Sequence, residues 1–216
     1  MIREFAAIDL YYLIAAVRWT VALSLVAFVG GSLIGLVVAI MRVSRFAALR
    51  LLAGTYIHLI QGTPLLCILF VFFFGLSIFG LPVHAWIGAT LAFSIYAGAF
   101  LGEIWRGALQ SIPKTQWEAG ASLGLGAAHQ LRYVIIPQAV RVAVPPTVGF
   151  LVQLIKNTSL AATIGFVELT REGQLTTAST FQPFTVYCTV ALLYFLMCFP
   201  LSHWSRVLER RFHAAG

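Results

Sequence analysis

Two ionisable residues, Glu103 and Lys156, fall inside otherwise apolar runs, and Asn157-Thr158-Ser159 follows the lysine directly. The chemistry these groups offer is binding rather than bond-making. A carboxylate accepts from an ammonium, Thr and Ser hydroxyls donate to a carboxylate, and an Asn amide does both. No His, Asp or Cys cluster accompanies them, so no nucleophile and base converge on a reacting atom. His58, His84, His129, His203 and His213 show no metal-ligand spacing. Cys67, Cys188 and Cys198 lie in apolar runs and read as buried, inert thiols. There is no Gly-rich phosphate loop of the Walker type, so the chain does not bind ATP by that route.

The elements that carry these groups belong in a bilayer. Of the 216 residues, 60% are hydrophobic and 10% charged; soluble domains carry about 25% charged residues. So little charge cannot cover a water-facing surface. The formal charge of +7 does not mark a nucleic-acid binder, because the basic residues flank apolar segments and form no stripe. The expected fold is an all-α membrane protein, one domain over residues 1–216, with spans near 17–41, 55–76, 84–105, 142–166 and 184–204. The first is too long and starts too late for a signal peptide.

Basic residues set the direction. Arg42, Arg45 and Arg50 follow span one, Arg106, Lys114, Arg132 and Arg141 follow span three, and Arg206, Arg210 and Arg211 follow span five. The other side holds Arg3, Arg18 and Arg171. This predicts an outer N-terminus, an inner C-terminus and an inner segment 109–140. The outer segments, 81–83 and 168–182, are too small to be a domain, so capture of a solute outside the membrane falls to another protein. Glu168, Arg171 and Glu172 can pair with such a protein or lie solvated. Tyr11, Tyr12, Trp19, Trp86 and Trp204 fit an aromatic belt. Ala27, Gly31, Gly35 and Ala39 on span one, and Gly98 and Gly102 on span three, allow close helix approach, within one subunit or between two.

The inner segment is the polar exception. Pro113 breaks the chain, and Thr115-Gln116-Trp117-Glu118 has the form of a capping box, which predicts a helix from 116 to 123. Gly124 and Gly126 stop it, and a second short helix over 127–134 leads to Pro137. The expected product is a helical hairpin whose Trp117, Ala121, Leu125 and Leu131 pack on the bundle or fill a partner's groove.

Glu118-Ala119-Gly120, Gly124 and Val134-Ile135-Ile136-Pro137 keep the spacing of the "EAA loop" of ABC importer permeases, with Gly120, Val134 and Ile136 as conservative departures. Gln61-Gly62-Thr63-Pro64-Leu65-Leu66, the run from Tyr96 to Gly107, Gln110-Ser111-Ile112-Pro113-Lys114, and Lys156-Asn157-Thr158-Ser159-Leu160-Ala161 follow in order. Together they resemble the permeases of polar amino-acid ABC importers, a five-span group of the type I importer fold. The resemblance covers the chain from about Val17 to Arg211.

That resemblance implies a permease subunit, not an enzyme, in a bacterial inner membrane. It implies a second permease subunit, identical or paralogous, a pair of ATPase subunits carrying ATP and Mg, and a periplasmic amino-acid-binding protein. Glu118, Ala119, Gly120, Gly124 and Pro137 would form the coupling loop. Glu103, Asn157, Thr158, Ser159 and Thr63 would line the solute path, with Glu103 accepting from the substrate ammonium. Many relatives carry Asp where this chain has Asn157, which argues against assuming a cationic substrate. Local readings stand beside these. Glu103 has Arg106 at i+3, Lys156 can pair with Glu103 or snorkel, and Thr63-Pro64 can serve a bend as well as a pore. The same loop would suit an ABC importer of another solute. An ion-coupled secondary transporter would leave the Glu118 loop unexplained and would call for an inverted repeat, which is not visible.

Overall fold

The computed structural model describes residues 4–78, 80–81 and 83–213. Arg3 and Pro82 lie outside the described residues, as do the side chains of Arg211 and His213. Among the described residues every regular element is helical, as hydrocarbon demands of a chain that must satisfy its own backbone. Helix α1 spans Ala7–Val43, α2 Ala47–Gln61, and α3 Leu65–Phe70, which runs through a π turn, Val71–Gly75, into α4, Leu76–Ile78. Then come α5 (Ala85–Gln110), α6 (Lys114–Ser122), α7 (Ala127–Gln130), a π turn (Leu131–Ile135), α8 (Ile136–Asn157), a 3-10 turn (Thr158–Ile164), α9 (Leu169–Thr180) and α10 (Pro183–His213). Four of these stretches are long and apolar enough to cross a bilayer, and the bent pair α2 with α3–α4 makes a fifth. The five-span bundle and its hairpin are therefore present as expected.

The small-residue stripes are spent inside this subunit. A Cβ on Gly31 would run into the Ala97 Cβ, and one on Gly35 would come within 3.0 Å of the Gly102 backbone nitrogen. From the other side, Gly98 faces Ile34 and Gly102 faces Val38, at 2.5 and 2.7 Å from a built Cβ. Helices α1 and α5 thus meet backbone to backbone along their length. Around that seam lies the main core, with Leu23, Ala27, Leu69, Phe93, Ala97, Leu101 and Leu154 all essentially sealed.

Three elements differ from the sequence expectation. Helix α1 begins at Ala7, not near 17, because nothing between them breaks a helix and Asp9 accepts from the Ala6 N–H at 2.9 Å to close its first turn. Span two is broken: its halves meet at 102°. Pro64 has no N–H to give the Ile60 carbonyl, the Thr63 N–H goes there instead (3.3 Å), and Thr63 Oγ1 donates to Leu59 O at 2.7 Å. The Thr63-Pro64 pair therefore makes a bend, far sharper than a kink. Segment 168–182 is no open loop; it folds as α9, whose N-terminal cap is the Glu168 carboxylate accepting from the Arg171 N–H (2.9 Å).

Helix α8 carries Pro145 and Pro146 in its interior, so the carbonyls of Arg141 and Val142 lose their helical donors. Neighbouring helices reach it there. Trp105 Nε1 on α5 donates to Thr147 Oγ1 at 3.0 Å, and Ser205 Oγ on α10 donates to Pro145 O at 2.8 Å. The cysteines divide: Cys198 is buried, while Cys67 and Cys188 are exposed on the chain's outer face, against expectation.

Candidate functional site

The hairpin forms one end of the bundle. Helix α6 starts at Lys114 with Pro113 as its cap residue, and no side chain caps it. Thr115 is therefore inside the helix and the expected capping box is not made. Pro113 explains this, since its fixed φ suits a helix start and Lys114 can follow at once. The Glu118 side chain is exposed, with no hydrogen bond or ion pair among the described residues, and so is not held by a structural task of its own.

Gly124 ends α6 as the sequence predicts. Its φ of +73° is left-handed, Leu125 N–H donates to Gly120 O (3.1 Å) and Gly124 N–H to Ala121 O (2.9 Å). This is the paired-bond Schellman stop that glycine favours. Gly126 instead opens the second arm. Gly120 is buried, and a Cβ there would meet Gln130 Cγ at 3.0 Å. Gln130 fills that space and donates from Nε2 to Leu125 O at 2.6 Å, tying the two arms. Ile112, Ile135 and Ala139, with Trp117 and Val134, make a small core beneath them. Ala119, Leu123 and Tyr133 remain exposed on the hairpin, Leu123 at 80%. The expected apolar set thus divides, with Trp117 packing inward while Ala121 and Leu131 stay open.

Pro137 does not separate the second arm from span four. Residues Ala127–Ile164 run as one helical stretch. Lacking an N–H, Pro137 leaves the Tyr133 carbonyl without its donor. The turn widens instead of breaking, and Ile136 N–H bonds Leu131 O in the π pattern. The hairpin is therefore continuous with the span that carries the polar triplet.

That triplet lies well inside. The Trp105–Thr147 bond sets the register between the antiparallel helices α5 and α8. At about 1.5 Å per residue, Glu103 sits roughly 3 Å beyond that level and Asn157 about 15 Å beyond it. Glu103 and Asn157 are thus near the hairpin end and mid-depth respectively, too far apart to grip the ammonium and carboxylate of one small solute together. Glu103 makes a paired contact with the Arg106 guanidinium, whose other arm reaches Gln110. Arg42 and His58 are its other charged or titratable neighbours. Lys156 is not among them, so the Glu103–Lys156 pairing is not formed. The Lys156 ammonium lies on the α10 side, near Cys198.

Asn157 is half-buried with its amide beside the Tyr96 hydroxyl. Thr158 is fully buried and donates to Ile155 O at 2.7 Å, while Ser159 donates to Lys156 O at 2.8 Å. Both hydroxyl protons are therefore committed to the chain's own backbone. Thr63 is half-buried at the bend of span two, beside exposed Gln61, Gly62 and Pro64. Irregular backbone at membrane depth survives only against protein or a water-filled cavity.

At the opposite end from the hairpin, Glu168 is sealed from solvent. Its Oε2 accepts from the Tyr194 hydroxyl (2.8 Å) and the Thr20 hydroxyl (3.4 Å), and Thr20 Oγ1 accepts from Leu169 N–H (3.1 Å). Burial pushes its carboxyl above the usual carboxylate range, and these donors pull it part of the way back. Glu168 is thus an internal knot joining α1, α9 and α10, not a surface contact for a binding protein. No spacing in the sequence signals this, because its partners lie 148 and 26 residues away. A cavity of about 620 Å³ opens near this end, among Trp19, His84, Trp86 and Phe166.

Residues 31–214 match the family described as binding-protein-dependent transport system inner membrane component. The L-cystine transport system permease protein of Bacillus subtilis is 38% identical over 196 residues, covering 90% of this chain and 84% of that one. The glutamine transport system permease protein of Escherichia coli (strain K12) is 35% identical over 201 residues, 92% of each. A crystal structure of an amino acid ABC transporter with histidines superimposes with a TM-score of 0.90 at 33% identity, covering 98% of this chain and 100% of that one. An inward-facing structure of a methionine ABC transporter shares the fold, with a TM-score of 0.76 at 21% identity over 94% and 99% of the two chains.

Proposed function

The chain belongs to the binding-protein-dependent transport system inner membrane components, the permease subunits of ABC importers, and from that premise we propose that it passes a polar amino acid from periplasm to cytoplasm. Similarity to glutamine and cystine permeases supports the solute class. Two copies of the chain, or this chain and a paralogue, enclose the path. A periplasmic binding protein delivers the solute, and a pair of ATPase subunits, holding ATP and Mg, drives the cycle. The N-terminus faces the periplasm and the C-terminus the cytoplasm, as the basic residues beside the hairpin favour.

One observation carries this reading: Glu118 stands exposed and unengaged on a hairpin continuous with the span bearing Asn157. A rigid element shared by a docking surface and a polar mid-membrane site is what alternating access between two states needs. Binding of ATP closes the ATPase pair, moves the hairpins and opens the bundle outward; hydrolysis resets it. Glu118, Ala119, Gly120, Gly124 and Pro137 serve coupling. Asn157, Ser159 and Thr63 serve the path at mid-depth, backed by buried Thr158, and Glu103 serves its inner exit.

The test is uptake into proteoliposomes holding the permease, its ATPase and its binding protein, comparing lysine, glutamate, glutamine and histidine. Uptake that requires ATP and the binding protein is expected. Gradient-driven flux through the permease alone would overturn the reading.

A further inference from the structure

Helix α8 has an exposed face that its neighbours leave open. Pro146, Gly149, Gln153 and Lys156 are all exposed, and their spacing of three, four and three puts them on one side of the helix. From the Trp105–Thr147 level, Gln153 lies about 9 Å and Lys156 about 14 Å into a layer about 30 Å thick. Gln153 has no hydrogen-bond partner among the described residues, and the Lys156 ammonium has no carboxylate within ion-pair reach.

The exposed face of α10 is of a different kind. Helix α10 shows Phe184, Leu192, Phe195, Leu196 and Phe199 to its surroundings, which lipid suits. An unpartnered amide and ammonium at the same depth are not suited to lipid. The open face of α8 is therefore turned away from lipid, toward the path or the second permease subunit that encloses it.

We propose that Gln153 contacts the solute in the transport path, one turn below Asn157. The residues i and i+4 on a helix stack on one side, so the two amides present donors and acceptors in a short column beside the Lys156 charge. Such a column reads a solute side chain that is polar and carries no positive charge. It holds glutamine by paired donor–acceptor contacts and disfavours lysine through the Lys156 ammonium. The proposal rests on the transport reading above and adds to it a residue and a side-chain class.

The test uses the whole assembly in proteoliposomes, with Cys67, Cys188 and Cys198 replaced by Ser and a single new thiol from Gln153→Cys. A charged, water-soluble thiosulfonate should label this thiol, and saturating L-glutamine should slow labelling about fivefold. Leu192→Cys on α10 is the lipid-facing control and should resist the reagent. Gln153→Leu should raise the glutamine KM about tenfold, the worth of one lost hydrogen bond to a well-placed partner. A thiol at 153 that the charged reagent does not reach, or that glutamine does not protect, overturns the proposal. So does a Gln153→Leu variant with an unchanged glutamine KM while the parent assembly still imports with ATP. Loss of ATP-driven uptake in the parent itself would instead strike the transport reading.

Discussion

The Tyr194 hydroxyl donates to Glu168 Oε2 at 2.8 Å across α9 and α10, and the carboxylate so held is closed to solvent. A buried acid that accepts from the Tyr194 and Thr20 hydroxyls and the Arg171 N–H can be probed through its charge. Burial raises the Glu168 carboxyl above its ordinary range, so the folded chain keeps this proton to a higher pH than the unfolded chain does. Its contribution to stability is complete below the unfolded value of about 4.3 and is lost as pH rises through the folded value. Glu168→Gln should flatten that part of the profile. Unfolding midpoints in detergent, taken from acid to neutral pH, should fall in the parent relative to the variant. Glu168→Leu should cost about 1–3 kcal/mol at acid pH, since it strands the Arg171 N–H and leaves the Tyr194 hydroxyl with Thr170 Oγ1 alone.

The α1–α5 seam gives a second expectation. Gly31→Ala drives a methyl into Ala97 and should cost about 1–3 kcal/mol, as overpacking of a close contact does. Gly107, also on α5, has nothing within 4 Å of a built Cβ. Gly107→Ala should therefore be neutral or stabilise by up to about 1 kcal/mol through helix propensity. Parallel melting curves check the pair, and equal midpoints would show that the seam is looser than its geometry.

Reversal of charge at the hairpin should separate insertion from coupling. Glu118 is exposed and takes no part in capping, so Glu118→Arg should leave folding and membrane insertion intact. ATP-driven uptake should be abolished. Wild-type uptake in this variant would remove the docking role.

Asn157 lies beside the Tyr96 hydroxyl at mid-depth. Asn157→Leu deletes both a donor and an acceptor there and should change solute-stimulated ATPase activity by about tenfold. The activity without solute should stay near that of the parent. An unaltered response to solute would take Asn157 out of the site.

Much of this was legible in the chain alone. Hydropathy gave five spans because hydrocarbon leaves helices few alternatives, and the spacing from Glu118 to Pro137 located the hairpin. Gly124 was read correctly because a left-handed stop has one favoured residue. The misreadings share a cause. Thr115 satisfied a local capping rule, but the helix starts two residues earlier, with Pro113 at its cap. Pro64 announced a bend without its angle, since 102° depends on what packs against each half. Glu168 looked like a loop acid because its partners Thr20 and Tyr194 are distant in sequence and meet it only in the folded bundle. Gln153 was missed because an amide in an apolar run carries no charge to draw attention, and its exposure needed coordinates.

The double proline of α8 has one more consequence. Two of that helix's own rungs are missing at Pro145 and Pro146, yet Trp105 from α5 and Ser205 from α10 bolt it at that height from either side. The weakest turn of the strut is thus clamped by its neighbours. On the transport reading proposed above, a push arriving through the foot would swing spans three, four and five together, as a slab.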